Sequence, residues 1–399
     1  MTGRLRVALI ASNRHPIREP FAGGLEAHVC HLSRALAARG HEVSLFAAPG
    51  SAPGPQCRRL VVRQLNLSAS AQRDISMPAA DFMADHHAYL SLMLWLAGPG
   101  AHEFDIIHNH SLHYLPVAMA PMLSTPMLTT VHTPPTPWLE SAVDASGGRG
   151  TRFSAVSEHT AAAWRHVAAQ IAAVRNGVDT DLWPLGPGGP ALVWFGRMTP
   201  EKAPHLAIAA ARLAGRPLVL AGPISDHRYF ADHVAPQLRD GVRYAGHLDQ
   251  VRLAALVGES CAALVTPTWD EPYGLVVAEA MSCGTPVVAF ERGGIPELID
   301  GTSGRLAPAD DVAAMADAVS DVTRLPRDAV REHALERCSA AAMLTAYSGL
   351  YRQMADDVTD RTDDRLLHPS PRLRTPGPRG QRRRTHGTSR DSVDIAEPG

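Results

Sequence analysis

The chain has 399 residues, enough for two domains with sizeable cores. Hydrophobic residues make up 45% and charged residues 20%, the balance of a soluble globular protein. The formal net charge of −2 is unevenly placed, with eight arginines against three acids from Arg365 onward and an acidic body before them, which is not the profile of a dedicated nucleic-acid binder.

The N-terminal MTGRLRVALIAS has an apolar run too short for a signal peptide, and Val7 to Ala11 reads as the first buried strand. A long loop with two prolines leads to Gly23-Gly24 and a helix whose Leu25, Val29, Leu32 and Leu36 recur at helical spacing. Gly40 ends that helix, and Val43 to Ala47 is the next strand. This βαβ opening lacks the G-x-G-x-x-G fingerprint of a dinucleotide fold, which argues against an oxidoreductase. Residues 49–101 are weakly patterned, with Val61 to Leu65 as a candidate strand and Met83 to Leu96 as a candidate helix. Phe104 to His108 is a strand running into His108, His110 and His113. That H-x-H-x-x-H run invites a metal reading, with loop or substrate-rim histidines as the alternative. The longest apolar window, Tyr114 to Val131, is interrupted by Pro116, Pro121 and Pro126 and does not read as a membrane span. Met127 to Val131 is a buried strand ending at His132, the place where α/β folds bind ligands, although a hydrogen-bonded structural histidine would also fit. The Pro- and Gly-rich segment from there to Gly150 reads as a mobile acceptor loop. Phe153 to Val156 is a strand, and Ser157 caps a helix through about Ala168.

Leu185 to Pro190, LGPGGP, reads as the linker between domains. A second α/β series opens with the strand Ala191 to Phe195 and the loop Gly196-Arg197-Met198-Thr199-Pro200-Glu201-Lys202, followed by a helix from about Pro204. Arg197 and Lys202, on one strand-to-helix loop, can converge on a single diphosphate, one as a bidentate fork and the other as a compact charge. Strands at Pro217 to Ala221, Val242 to Ala245, Ala262 to Val265 and Pro286 to Ala289 continue the second sheet. Between the last two lies TPTWDEPYGLVVAEAMSCGTP: a turn through Pro267, Asp270, Pro272 and Gly274, then a helix from Leu275 to Cys283 that Gly284 ends. The loop presents Glu271 and Gly274 at a helix N-terminus, where free N–H groups and the helix dipole favour an anion. Glu279 stands roughly 12 Å further along the helix, too far for the paired carboxylates of a glycoside hydrolase. Two acids flanking a phosphate-binding helix end instead suit a sugar and a ribose joined through a diphosphate. Helices follow at about Ala309 to Asp321, Arg327 to Cys338 and Ala340 to Ala355, and residues 356–399 have the composition of a disordered basic tail. Five scattered cysteines without C-x-x-C spacing, Cys30, Cys57, Cys261, Cys283 and Cys338, argue for reduced thiols in a cytoplasm and against a disulfide framework or zinc site.

The pattern Glu271-Pro272-Tyr273-Gly274, Glu279-Ala280 and Gly284-Thr285-Pro286-Val287-Val288 resembles the signature of the family 4 retaining glycosyltransferases. The resemblance covers roughly residues 4–355 and is densest from 191 to 306, including Gly293-Gly294-Ile295-Pro296-Glu297. It implies a GT-B fold, two Rossmann-like domains facing across a cleft. Residues 1–185 would form the acceptor domain, 186–340 the nucleotide-sugar domain, and 341–355 a terminal helix packing back on the first. It further implies a hexosyltransferase that moves a sugar from a nucleotide diphosphate donor, UDP-sugar favoured, to an acceptor hydroxyl or amine with retention, and that needs no cofactor or protein-bound metal. By that likeness His132, Arg197, Lys202 and Glu271 would be catalytic, and Gly23, Gly24, Gly274, Leu275 and Glu279 would bind the donor. Glu271 would hold sugar hydroxyls, Glu279 the ribose, and His132 the sugar on its acceptor side. One departure is Ala203, where the family's usual residue is glycine. The rival readings are a sugar-nucleotide epimerase or phosphorylase of the same architecture, and a catalytically silent sugar-nucleotide-binding protein. Acceptor and oligomeric state cannot be read, and the run Arg382-Arg383-Arg384 would give at most weak peripheral attraction to an anionic membrane, about 1 kcal/mol per charge.

Overall fold

The apolar runs become strands that are buried along nearly their whole length, as parallel sheets covered by helices on both faces require. The structure, a computed structural model, describes residues 3–367 apart from Met77 and Ala169, with side chains through Asp357. The first sheet contains β1 (Arg6–Ile10), β2 (Glu42–Phe46), β3 (Cys57–Arg59), β4 (Ile106–Asn109), β5 (Met127–Val131), β6 (Thr151–Ala155) and β7 (Ile171–Ala173). Its order is β3-β2-β1-β4-β5-β6-β7 and every pairing is parallel. The second contains β8 (Leu192–Phe195), β9 (Leu218–Ala221), β10 (Val242–Tyr244), β11 (Ala262–Val265), β12 (Val287–Phe290) and β13 (Gly304–Ala307). It runs β10-β9-β8-β11-β12-β13, again all parallel. Both orders reverse direction beside the first strand, at β1/β4 and β8/β11, and such switch points open the crevices in which α/β sheets take ligands.

The helices of the first half are α1 (Gly24–Ala38), α2 (Ala80–Ala97), α3 (Tyr114–Met119), α4 (Pro137–Ser146) and α5 (Glu158–Trp164). Those of the second are α6 (Pro204–Leu213), α7 (His227–Tyr229), α8 (Gln250–Gly258), α9 (Leu275–Ser282), α10 (Val312–Val322), α11 (Arg327–Arg337) and α12 (Ala340–Leu367). Several expectations need correction. No strand forms at residues 61–65; the edge strand is three residues at Cys57–Arg59, and Val61 is exposed. The supposed acceptor loop before Gly150 contains α4, which starts with Pro137 in its first turn and ends at the left-handed Gly147. Ser157 does cap α5, accepting from Thr160 N at 3.0 Å, but the helix stops at Trp164 rather than near Ala168. The linker is fixed rather than free: Gly186 N donates to Cys283 O (3.0 Å) and Gly188 N to Gly258 O (2.9 Å). Arg327 fastens it further, donating to the carbonyls of Gly186, Ser260, Gly258 and Cys283 and to Thr285 Oγ1.

α12 runs to Leu367, past the boundary at 356 that composition suggested; residues 368–399, with the Arg382–Arg384 run, lie outside the described residues. The helix returns to the first sheet, where Met343, Leu344, Tyr347, Tyr351 and Met354 join the core of Val7, Leu9, Leu32 and Leu128. Tyr351 Oη shares a 2.6 Å hydrogen bond with His108 Nδ1, and His108 Nε2 shares one of 2.7 Å with Thr130 Oγ1. His108 is fully buried and its pKa is held well below the usual 6.5 by loss of solvation, so the ring is neutral. Replacing Tyr351 by Phe should cost about 1–3 kcal/mol of stability by leaving a buried imidazole nitrogen unpaired. Chemical denaturation would measure this, and an unchanged midpoint would mean that the pair contributes nothing net.

Candidate functional site

The loop after β11 is stitched to the loop after β8 before either presents a functional group. Thr266 Oγ1 donates to Lys202 O (3.1 Å) and Ala203 O (3.0 Å) and accepts from Trp194 Nε1 (3.0 Å). Thr268 N then donates to Glu201 O at 2.9 Å. Further along, Glu271 O accepts from Gly294 N at 2.7 Å, and a Cβ on Gly293, whose φ is +62°, would stand 2.2 Å from that same oxygen. Only glycine allows this approach. From the opposite domain, Ser157 Oγ (2.6 Å) and Thr160 Oγ1 (3.2 Å) donate to Pro272 O.

With the backbone so held, Lys202 Nζ forms an ion pair and hydrogen bond with Glu271 Oε2, which also accepts from Trp269 Nε1 at 3.1 Å. The ammonium lies 5.3 Å from the centre of the Trp269 ring. Arg197 pairs with Glu201 at 3.3 Å on the same loop. The sequence separated these roles, cations for a phosphate and Glu271 for a sugar, whereas the structure places Lys202 directly on Glu271. Trp269 and Glu201 escaped the sequence reading, although both lie within the motifs that were read.

Gly274 precedes α9 with φ +96° and ψ +61°, a left-handed conformation that sets the helix direction. No side chain caps α9, and its first turn holds no acid. α1 differs: Gly23 is extended and provides no side-chain cap, but Glu26 sits buried in the first turn. The dipole of α1 is therefore partly balanced by the protein itself, and that of α9 is left for a ligand. The two helix ends meet closely, since a Cβ on Gly24 would lie 3.1 Å from Leu275 Cδ1. Ala203 keeps the geometry expected of the glycine it replaces, at φ +46° and ψ +54° as the residue before α6.

One cavity of about 340 Å³ lies between the domains. Its lining includes Gly23, Gly24, His132, Arg197, Lys202, Glu271, Gly274, Leu275 and Glu279, so the residues that the resemblance marked as catalytic or donor-binding face the same space. Glu279 keeps partial access to it, yet burial raises its carboxyl to about 8. At neutral pH it is mostly protonated and can donate as well as accept a hydrogen bond. His132 shares a 3.0 Å hydrogen bond with His110 Nδ1, and burial lowers its pKa to about 3, so it is a neutral partner and not a cation. The H-x-H-x-x-H run does not gather its three nitrogens at one point: the rings of His108 and His110 touch at 3.8 Å, but His108 bonds to Tyr351, His110 bonds to His132, and His113 stacks on Tyr89 at 4.3 Å and accepts from Leu115 N. His28, from α1, instead joins His110 and His132, and nothing in the local sequence pattern marked it.

Residues 22–182 match the model of Glycosyltransferase Family 4, and residues 189–324 match that of Glycosyl transferases group 1. The glycogen synthase of Mycobacterium tuberculosis is 30% identical over 368 residues, covering 82% of this chain and 88% of that protein. The chain belongs to the family 4, group 1 glycosyltransferases. It is also 27% identical to the D-inositol 3-phosphate glycosyltransferase of Mycolicibacterium smegmatis, over 95% of this chain and 96% of that one. The fold is GT-B: sucrose-phosphate synthase from Thermosynechococcus elongatus superposes with a TM-score of 0.69 at 23% identity, over 88% and 99% of the two chains. Anabaena HepE in complex with UDP-glucose superposes with a TM-score of 0.66 at 17% identity, over 90% and 100%. Glycosyl transfer is thus the activity of the chain, and the described residues contain no helix long and apolar enough to cross a membrane.

Two outcomes follow from this geometry. Ala203→Gly should stabilise the fold by up to about 1 kcal/mol, because a left-handed alanine is strained, less the extra backbone entropy of glycine in the unfolded chain. Urea denaturation would detect it, and a loss of stability would contradict the strain. For Glu279, the folded pKa near 8 lies above the usual 4.5, so between those values the unfolded chain binds fewer protons and this group's contribution to stability falls as pH rises. The stability of Glu279→Gln relative to wild type should therefore improve from pH 5 toward pH 8, as paired melting curves at about these two pH values would show. A constant difference would show that Glu279 titrates normally.

Proposed function

We propose that the protein is a cytoplasmic hexosyltransferase that moves a sugar from a nucleotide diphosphate donor, a UDP-sugar by preference, to an acceptor hydroxyl or amine with retention at the anomeric carbon. The observation that carries this reading is the single cavity in which Arg197, Lys202 and the uncapped, acid-free N-terminus of α9 face one another, with Glu271 and Glu279 on either side of that helix end. An anionic diphosphate fits between them, a sugar on the Glu271 side and a ribose on the Glu279 side. UDP-glucose in the structurally similar HepE supports a uridine donor here.

In this mechanism the arriving diphosphate competes with Glu271 for Lys202, and the released carboxylate turns to the sugar hydroxyls. The bond from the anomeric carbon to the phosphate oxygen breaks through an oxocarbenium-like transition state, and the acceptor oxygen or nitrogen bonds to the same face. Negative charge growing on the leaving diphosphate is met by Lys202, Arg197 and the N–H groups at the start of α9, so no resident metal is called for. The acceptor's proton passes to the departing phosphate oxygen. Neutral His132 hydrogen-bonds the sugar from the acceptor side, and the protonated Glu279 can donate to one ribose oxygen while accepting from another.

Lys202→Ala should lower turnover by roughly 100- to 1000-fold, the usual loss of one preorganised charge-stabilising donor, with the melting temperature little changed. Retention is tested separately by the NMR coupling constant at the new linkage, read before mutarotation. A folded Lys202→Ala enzyme at near-normal rate would remove the clamp from the mechanism, and an inverted product would exclude same-face attack.

A further inference from the structure

Beside the donor cavity stands a group of side chains that the transfer reaction uses only in part. His28 comes from α1, His110 from the end of β4 and His132 from the end of β5. Their ring centroids form a nearly equilateral triangle, 5.3 Å from His28 to His110 and 5.2 Å for each of the other two sides. One nitrogen from each lies within 4.8 Å of the other two. His28 is 2% exposed and His110 is 0% exposed. Apart from the bond between His110 and His132 the group is unsatisfied: both nitrogens of His28 and Nε2 of His110 are buried without a hydrogen-bond partner. A buried polar nitrogen left unpaired is costly, and three in one place are hard to reconcile with packing alone, since an apolar side chain would fill the same space of α1 without that cost.

A neutral imidazole offers one nitrogen lone pair, so the three rings can supply three ligand atoms to one point. The group includes no carboxylate or thiolate. Three imidazoles suit borderline divalent ions such as zinc, cobalt, nickel or copper, and suit magnesium or calcium poorly. Ligand nitrogens around a tetrahedral zinc ion stand about 3.3 Å apart, as bonds of about 2.0–2.1 Å require. The present spacing needs to close by about 1.5 Å at most, within the reach of small side-chain rotations.

We propose that His28, His110 and His132 form a three-imidazole site for a divalent transition-metal ion of the zinc class, open to the cleft at His132. The ion would satisfy one of the unpaired nitrogens of His28 and that of His110 and, in doing so, withdraw His132 from the donor cavity. Metal binding stands apart from the transfer chemistry, whereas the inhibition it causes rests on the role given to His132 above.

The test uses the full chain. Zinc chloride titrated calorimetrically should bind with one saturable equivalent at this site, magnesium chloride should not, and cobalt should show the visible absorption of a tetrahedral nitrogen site. His28→Gln, which is not part of the donor cavity lining, should weaken zinc binding by at least about 100-fold. Because that variant alters a buried position, the wild type provides an independent measurement: zinc-edge X-ray absorption of the loaded protein should count three imidazoles at about 2.0 Å. Absence of a saturable equivalent in the folded wild type, or zinc held by thiolates or by fewer than three imidazoles, would overturn the site. Zinc bound as described but without effect on turnover would uphold the site and refute the role of His132 in transfer.

Discussion

The functional geometry depends on the way the loop between β11 and α9 is pinned from both domains at once. Glu271 O is tied to the Gly293-Gly294 turn of its own domain, while Pro272 O is tied to Ser157 and Thr160 of the other. A short loop held by its carbonyls has little freedom left for its side chains, so Glu271 and the α9 N-terminus are oriented before a donor arrives. Preorganisation of this kind matters because charge-stabilising groups lose much of their effect if they must reorganise during the reaction. Glu297 reinforces the same junction, accepting from the backbone N–H groups of Glu158 (3.1 Å) and His159 (2.8 Å) at the start of α5. The domains thus meet at this junction through backbone groups and caps, joined by the Arg175–Glu297 ion pair at 3.6 Å.

Charge in the cleft is stored in local pairs. Lys202 rests on Glu271 and Arg197 on Glu201, so neither cation faces the cavity uncompensated. Both pairs keep contact with solvent, and a diphosphate with two or more negative charges can outcompete a single carboxylate for each cation. The helix ends divide the work in the same way. Glu26 serves α1 from within, and α9 is left open, so the proposed diphosphate would be drawn toward the second domain, where both cations also stand.

The first domain contributes a different chemistry, a set of buried neutral histidines. His108 is satisfied by Tyr351 and Thr130 and links α12 to the sheet, whereas His28 and His110 keep unpaired nitrogens beside His132. The same residue type therefore holds the fold together at His108 and, two residues later and in ring contact with it at 3.8 Å, stands behind the cleft-lining His132 at His110.

Both sheets, most strand positions and several residues of the cavity between the domains were legible from the sequence alone. Parallel strands buried on both faces leave unbroken apolar runs, and the turn chemistry of Gly274 and Gly284 marks where α9 begins and ends. Arg197, Lys202 and Glu271 lie on loops after strand ends and Glu279 lies within α9, and the family resemblance of the motifs around them allowed all four to be named. Short or shared features were not legible. Cys57–Arg59 is a three-residue edge strand with little apolar signal, α4 is hidden in a Pro-rich segment, and α12 runs on through charged residues that composition assigns to a tail. What only the tertiary structure decided was pairing: Lys202 with Glu271, Tyr351 with His108, and His28 with His110 and His132. Those partners lie 69, 243 and at least 82 residues apart in the chain, and a local pattern records what a residue is and which way its backbone turns. Which distant side chain it will meet is settled only when the two sheets and the returning helix have packed.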